Sequence, residues 1–234
     1  PRSAERAIEI TAGLIDLARI ENGVPPTARR QRICFDEWNV WDPERAPGEE
    51  GGEERYNLSD ALAVAAWLNV FVRQSKHVGM ANIAQSVNVI SPLMTTKNKI
   101  YKQTTWWPLL LFSKYMRGST VAVNVCSGEY MGETKPAWIR GTIPTPWLDV
   151  SAALDDSGVL NLAVVNIHEE KDFVTDLPGI PGERDVEVYT VNGANTSVSN
   201  TDRTEEVWIE ETRWNASGAF TFPKHSFTLL RWKV

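Results

Sequence analysis

Only two cysteines, Cys34 and Cys126, occur in the 234 residues. That is too few for a disulfide framework. Cys34 sits in a short apolar run and Cys126 in a β-rich stretch, so both are expected as small core residues rather than nucleophiles or metal ligands. The three histidines, His77, His168 and His225, are scattered without metal-ligand spacing, so no metal site and no cofactor is assigned. No apolar run approaches the ~20 residues of a membrane span, and a soluble protein without a membrane partner is expected. Basic residues are not in excess: 24 Lys and Arg stand against 30 Asp and Glu, a net charge of −6 spread without one long acidic block. A mildly acidic surface disfavours nucleic acid as a partner. The chain also lacks an initial methionine and a signal-peptide pattern and opens directly on a helix, which reads as a piece of a longer protein.

Tryptophan, by contrast, is plentiful: there are ten. They either fill the core or offer aromatic faces to the apolar C–H surfaces of sugar rings. Residues 4–22 carry Ile10, Leu14, Leu17 and Ile20 at helical spacing, stopped by Gly23 and Pro25-Pro26. Residues 57–75 make the clearest helix, capped by Asn57 or Ser59, with a wide apolar face from Leu62 to Val72. Residues 79–85 read as a buried strand ending in polar Gln85, and a further helix spans about 104–116 before Gly118. From about Ser119 the pattern changes to short strands between turn signals, among them 160–167, 186–191 and 226–232, with no helix between them. The expected fold is therefore α/β followed by all-β. Residues 1–118 read as the C-terminal portion of a (β/α)8 barrel, and residues 119–234 as an antiparallel β-sandwich.

One stretch stands out. Arg32-Ile33-Cys34-Phe35 reads as a short buried strand, and Asp36-Glu37-Trp38-Asn39-Val40-Trp41 follows at once. Buried carboxylates cost free energy unless partnered, and in barrels chemistry sits at the carboxyl ends of the strands. On the residues alone, Glu37 reads equally as a loop acid beside two core tryptophans. Adjacent strand residues point to opposite faces, so only one of Asp36 and Glu37 is expected to aim into a site. The long polar segment 42–54 either borders that site or is a solvated excursion.

The string Phe35-Asp36-Glu37-Trp38-Asn39-Val40-Trp41 resembles the nucleophile motif of glycoside hydrolase family 51, the α-L-arabinofuranosidases. The likeness continues through Ala61-Leu62, residues 84–92, Lys102-Gln103-Thr104 and the closing Leu229-Leu230-Arg231-Trp232. The resemblance implies a jelly-roll-like β domain after a catalytic barrel. It also implies retaining hydrolysis of terminal arabinofuranosyl residues from arabinan and arabinoxylan oligosaccharides. Such hydrolysis uses two carboxyl groups about 5–5.5 Å apart, one attacking the anomeric carbon and one protonating the leaving oxygen.

By the resemblance Glu37 is the nucleophile, Gln85 and Trp41 reach or line the sugar site, and Asn39 is a substrate-site residue that orients either Glu37 or a loop. Trp38, Trp106 and Trp107 read as packing. The implied proton donor is a glutamate on a strand well upstream, and no position in this chain matches it. Glu44, Glu49, Glu50 and Glu129 lie in no such motif. A (β/α)8 barrel needs about 250 residues, far more than precede the β-rich part. The expected partners are thus an arabinofuranosyl oligosaccharide and the N-terminal half of the same enzyme. A homo-oligomer is left open, and secretion is slightly favoured over a cytoplasmic location. The competing readings are a non-catalytic carbohydrate-binding β-sandwich with residual barrel elements, or a related retaining hydrolase of other pentosides.

Overall fold

A computed structural model describes residues 2–40, 53–132, 143–178, 180, 185–216 and 218–234. Its elements in order begin with helix α1 (Arg2–Glu21), strand β1 (Ile33–Trp38), helix α2 (Leu58–Arg73), strand β2 (Val78–Ile83), the small hairpin of β3 (Leu93–Thr95) and β4 (Ile100–Lys102), and helix α3 (Trp106–Tyr115). An all-β run follows: β5 (Ser119–Val121), β6 (Glu129–Gly132), β7 (Ile143–Pro146), β8 (Leu148–Leu154), β9 (Val159–Asn166), β10 (Phe173–Thr175), β11 (Asp185–Asn192), β12 (Trp208–Asn215), β13 (Phe220–Phe222) and β14 (Ser226–Lys233). The expected change of character at Ser119 is where β5 begins.

Six of these strands form one antiparallel sheet in the order β12-β11-β14-β9-β8-β5. Apolar residues line both of its faces. On one face Ala163, Val165, Val191, Phe227 and Leu229 pack against Leu58, Ala61, Leu62, Ala65 and Ala66 of α2 and Trp107, Leu111 and Phe112 of α3. On the other, Val164, Val188, Leu230 and Trp232 meet Phe173, Phe220 and Phe222 of the separate β10–β13 pair. These two layers of β-structure bear out the expected sandwich. The helices of the first half therefore share a core with the sheet of the second. At the join, Gly118 takes φ +94°, and a Cβ there would lie 2.2 Å from the Leu154 carbonyl oxygen, so only glycine lets the chain pass β8 so closely.

A buried polar rivet reinforces the join. Arg73, at the end of α2, donates to both carboxylate oxygens of Glu5 on α1 at 3.0 and 3.1 Å and to both of Asp149 on β8 at 2.9 and 3.0 Å. Asn69 adds a bond to Asp149 at 2.8 Å and accepts one from Ser151 at 2.6 Å. Burial pushes the Glu5 carboxyl up, but the hydrogen bond and charge of Arg73, with the nearby Arg2 charge and a hydrogen bond from Gln74, together outweigh it and hold Glu5 below its ordinary value. Arg73 is raised in turn: burial works against its charge, and its two carboxylate partners more than restore it.

The strand β1 runs parallel to β2, and the two make a sheet of their own. The described residues form no closed barrel. Several expectations of burial fail here for one reason: each strand has a single strand neighbour, and one face of the pair lacks a covering layer among the described residues. Cys34 and Met80 are exposed, and the only buried residue of β1 is Trp38. On α1 the apolar residues Ala4, Ile8 and Ala12 are buried, while the expected apolar stripe of Ile10, Leu14, Leu17 and Ile20 lies open. Cys126, also expected in the core, is exposed in the irregular segment after β5. Trp107 does pack, but against the sheet rather than inside a barrel: its indole N–H donates to Val207 O at 2.7 Å.

Candidate active site

The acid pair closes β1. Phe35 and Trp38 both turn toward α2, where Phe35 meets Trp67 and Phe71 edge-on and Trp38 stacks on Trp67 at 5.8 Å between ring centroids. Two rings three residues apart on the same side break strict alternation. The β1–β2 register shifts between Phe35 and Trp38, as at a β-bulge. Asp36 and Glu37 fall in that interval and both are exposed. The expectation that alternation would select one of them is therefore not met; the choice of Glu37 rests on the motif. Trp38 is packing, as expected, and it anchors the chain directly after Glu37.

Gln85 lies two residues past the end of β2 and is exposed. Since Trp38 pairs with Ile83, the register sets Glu37 and Gln85 at the same, carboxyl end of two hydrogen-bonded parallel strands. The loop that carries Gln85 is fastened from β1. The Asn39 side-chain amide donates to Ala84 O at 2.7 Å and also to Ile90 O, and its oxygen accepts from Val40 N–H at 2.8 Å. Of the two orienting roles left open for Asn39, the geometry gives the loop: its donors are committed to backbone carbonyls on either side of Gln85. Trp41 lies outside the described residues, as do Glu44, Glu49 and Glu50. Glu129 begins β6, which pairs with β7 and not with β1 or β2.

Two cavities are prominent, and neither is lined by Glu37 or Gln85. One, of about 450 Å³, lies between Trp38, Phe71 and Ile83 on one side and Leu109, Met116 and Thr120 on the other. The second, of about 770 Å³, is apolar and sits in the sandwich beside Leu162, Val164, Phe173 and Trp232. Among the described residues no three or more His, Cys, Asp or Glu side chains gather as a metal-binding group. Among the described residues the strand ends thus present exposed acids, an exposed amide and a braced loop, and neither cavity is lined by Glu37 or Gln85.

Comparison with known proteins places these features. The family model described as the alpha-L-arabinofuranosidase C-terminal domain matches residues 36–226. The chain is 65% identical over 234 residues to alpha-L-arabinofuranosidase C of Emericella nidulans, covering all of this chain and 46% of that protein. It is 31% identical over 185 residues to an exo-alpha-(1->6)-L-arabinofuranosidase of Bifidobacterium longum, covering 72% of this chain and 34% of that one. Among solved structures, an alpha-L-arabinofuranosidase of Thermotoga maritima in complex with arabinose aligns with a TM-score of 0.83 at 24% identity, over 99% of this chain and 48% of its own. A family 51 alpha-L-arabinofuranosidase of Bifidobacterium longum aligns with a TM-score of 0.82 at 21% identity, over 100% of this chain and 47% of its own. The chain spans about half the length of the curated relatives it matches.

Proposed function

This chain belongs to the alpha-L-arabinofuranosidase C-terminal domain family, and from that membership we propose that it is the C-terminal half of a retaining α-L-arabinofuranosidase. The observation that carries the reading is that Glu37 and Gln85, both in stretches that match the family, stand at the same end of two hydrogen-bonded parallel strands. In this reading β1 and β2 are the last two strands of a (β/α)8 barrel, α2 is the crossover helix between them, and the six earlier strands belong to the N-terminal half. Division of the chain at 118/119, into barrel and sandwich, follows. The open stripe of α1 and the exposed Met80 are the surfaces that half would cover, since apolar side chains gain roughly 25 cal/mol per Å2 on leaving water.

Glu37 is the nucleophile. Its carboxylate attacks the anomeric carbon of a terminal arabinofuranosyl unit, and the leaving oxygen takes a proton from a glutamate in the N-terminal half. Water then hydrolyses the glycosyl ester, with that second glutamate acting as base. Gln85 supplies hydrogen bonds to sugar hydroxyls, Trp41 lines the pocket, and Asn39 sets the loop that presents Gln85. The chain alone carries one of the two carboxyl groups and should show no appreciable turnover. The test uses the full-length enzyme. Glu37→Ala should lower kcat by at least about 10³-fold toward a p-nitrophenyl arabinofuranoside, and a mechanism-based arabinosyl inhibitor should label Glu37 in the unaltered enzyme. Unchanged hydrolysis, or an adduct on another residue, would overturn the reading.

A further inference from the structure

The loops after β1 and β2 are joined a second time, at a distance from Asn39. Gln103 lies between β4 and α3 and is 1% exposed. Its amide oxygen accepts from Tyr56 N–H at 2.9 Å, and its amide nitrogen donates to Glu54 O and Ser91 O, both at 2.9 Å. Only one orientation of the amide satisfies all three bonds, because two partners are carbonyls and the third is an N–H. Tyr56 is fully buried, and its hydroxyl donates to Val40 O at 2.7 Å. Val40 follows Asn39, which holds Ile90 O, and Ile90 precedes Ser91. The bonds therefore close a circuit: β1 end, Tyr56, Gln103, Ser91 and Ile90, Asn39, and back to the β1 end.

Such a circuit has a mechanical meaning. Segment 54–57 leads into α2 and segment 84–92 follows β2, two stretches that the Gln103 amide bridges. Gln103 fastens both from underneath, and Thr104 adds a bond to Asn57 O at 2.6 Å. Every atom that Gln103 holds is backbone, so the device fixes where the strand ends stand rather than recognising anything itself. Tyr56 passes that placement to Val40, three residues beyond Glu37.

We propose that Gln103 and Tyr56 are positioning residues that set the placement of the Glu37 strand end relative to the Gln85 loop. The inference rests on Glu37 being the nucleophile. Neither residue touches the reacting atoms; both act through backbone. Misplacement by about an ångström remote from the chemistry can cost on the order of 100-fold in rate.

The experiment uses the full-length enzyme. Tyr56→Phe removes one hydroxyl and keeps the ring, while Gln103→Leu removes the whole amide. For Tyr56→Phe, kcat toward a p-nitrophenyl arabinofuranoside should fall about 10- to 100-fold, with KM changed by less than about threefold and the melting temperature within a few degrees of the unaltered enzyme. Gln103→Leu should lower kcat at least as far where it folds; where it does not, Tyr56→Phe decides alone. A folded Tyr56→Phe enzyme with unchanged kcat overturns the inference, as does a loss seen only in melting temperature. An arabinosyl adduct that forms on Glu37 while Tyr56→Phe stays fully active overturns this inference alone. An adduct elsewhere overturns the nucleophile reading and this inference with it.

Discussion

The β1–β2 pair and the six-stranded sheet are built from equally apolar stretches and end in opposite conditions. Ile33-Cys34-Phe35 reads as a core strand, yet one residue of β1, Trp38, is buried. In β8, Leu-Asp-Val-Ser-Ala-Ala-Leu, six of seven residues are buried. The difference lies in neighbours. The strand β8 has β5 and β9 beside it, α2 on one face and the β10–β13 layer reached through the other. The strand β1 has β2 beside it and the aromatic cluster of α2 on one face. Burial belongs to the assembly of strands and not to any one of them.

That contrast can be broken or sharpened by substitution in the full-length enzyme. The largest effect is expected at the rivet. Arg73→Met removes the cation shared by two nearly buried carboxylates, leaving Glu5 with Arg2 and Asp149 with Asn69, and should destabilise by about 3 kcal/mol in denaturant unfolding. Its pH signature has a definite sign. Because Glu5 is held below its ordinary value of 4.5, its share of stability is complete above that pH and is lost as pH falls through the lower, folded value. The unaltered enzyme should therefore lose stability on acidification below about pH 4.5 more steeply than Arg73→Met.

A smaller effect, and the sharper discriminator, is Met80→Asp. Met80 is exposed in this chain, and a surface change costs within about 0.5 kcal/mol. If the N-terminal half covers β2, the substitution buries a carboxylate and should cost about 2 kcal/mol or more in thermal unfolding. A neutral result would mean that the open face is genuinely a surface. The smallest effect is expected at the start of α2. There Asn57 accepts from Asp60 N–H at 3.3 Å while Asp60 returns a bond to Asn57 N–H at 2.9 Å, a capping box. Asn57→Ala should cost about 1 kcal/mol, read as a shift in the denaturation midpoint.

How much of this was legible in the sequence follows the range of each interaction. Local signals served well. The helix stops at Gly23 and Gly118, the Asn57 cap and the alternating run 186–191 all appear as read. The strand β8 was missed, because burial on both faces lets Ser151, Ala152 and Ala153 replace the alternation that marks a half-exposed strand. Its turn signal, Asp155 accepting from Ser157 and Val159 N–H groups before Gly158 at φ +79°, was there to be found. At the candidate site, Glu37 and Gln85 fall at strand ends as the motif implied. What no local pattern could supply was the bulge that leaves Asp36 and Glu37 both exposed, or the bond from Trp107 to Val207, 100 residues later. The hub at Gln103 was visible only as part of a familiar string, since its partners are backbone atoms of two other loops.

The shared interior of α2, α3 and the six-stranded sheet bears on how this protein can be re-engineered. A junction at 118/119 is the obvious place to splice sandwiches between relatives, yet it would bisect an apolar interior and force Gly118 to meet a foreign Leu154 carbonyl. A chimera transplanted with its helices, from Asn57 onward, keeps that interior whole and needs the parents to agree at Glu5, Glu54 and Tyr56, whose bonds to Arg73 and Gln103 cross the seam.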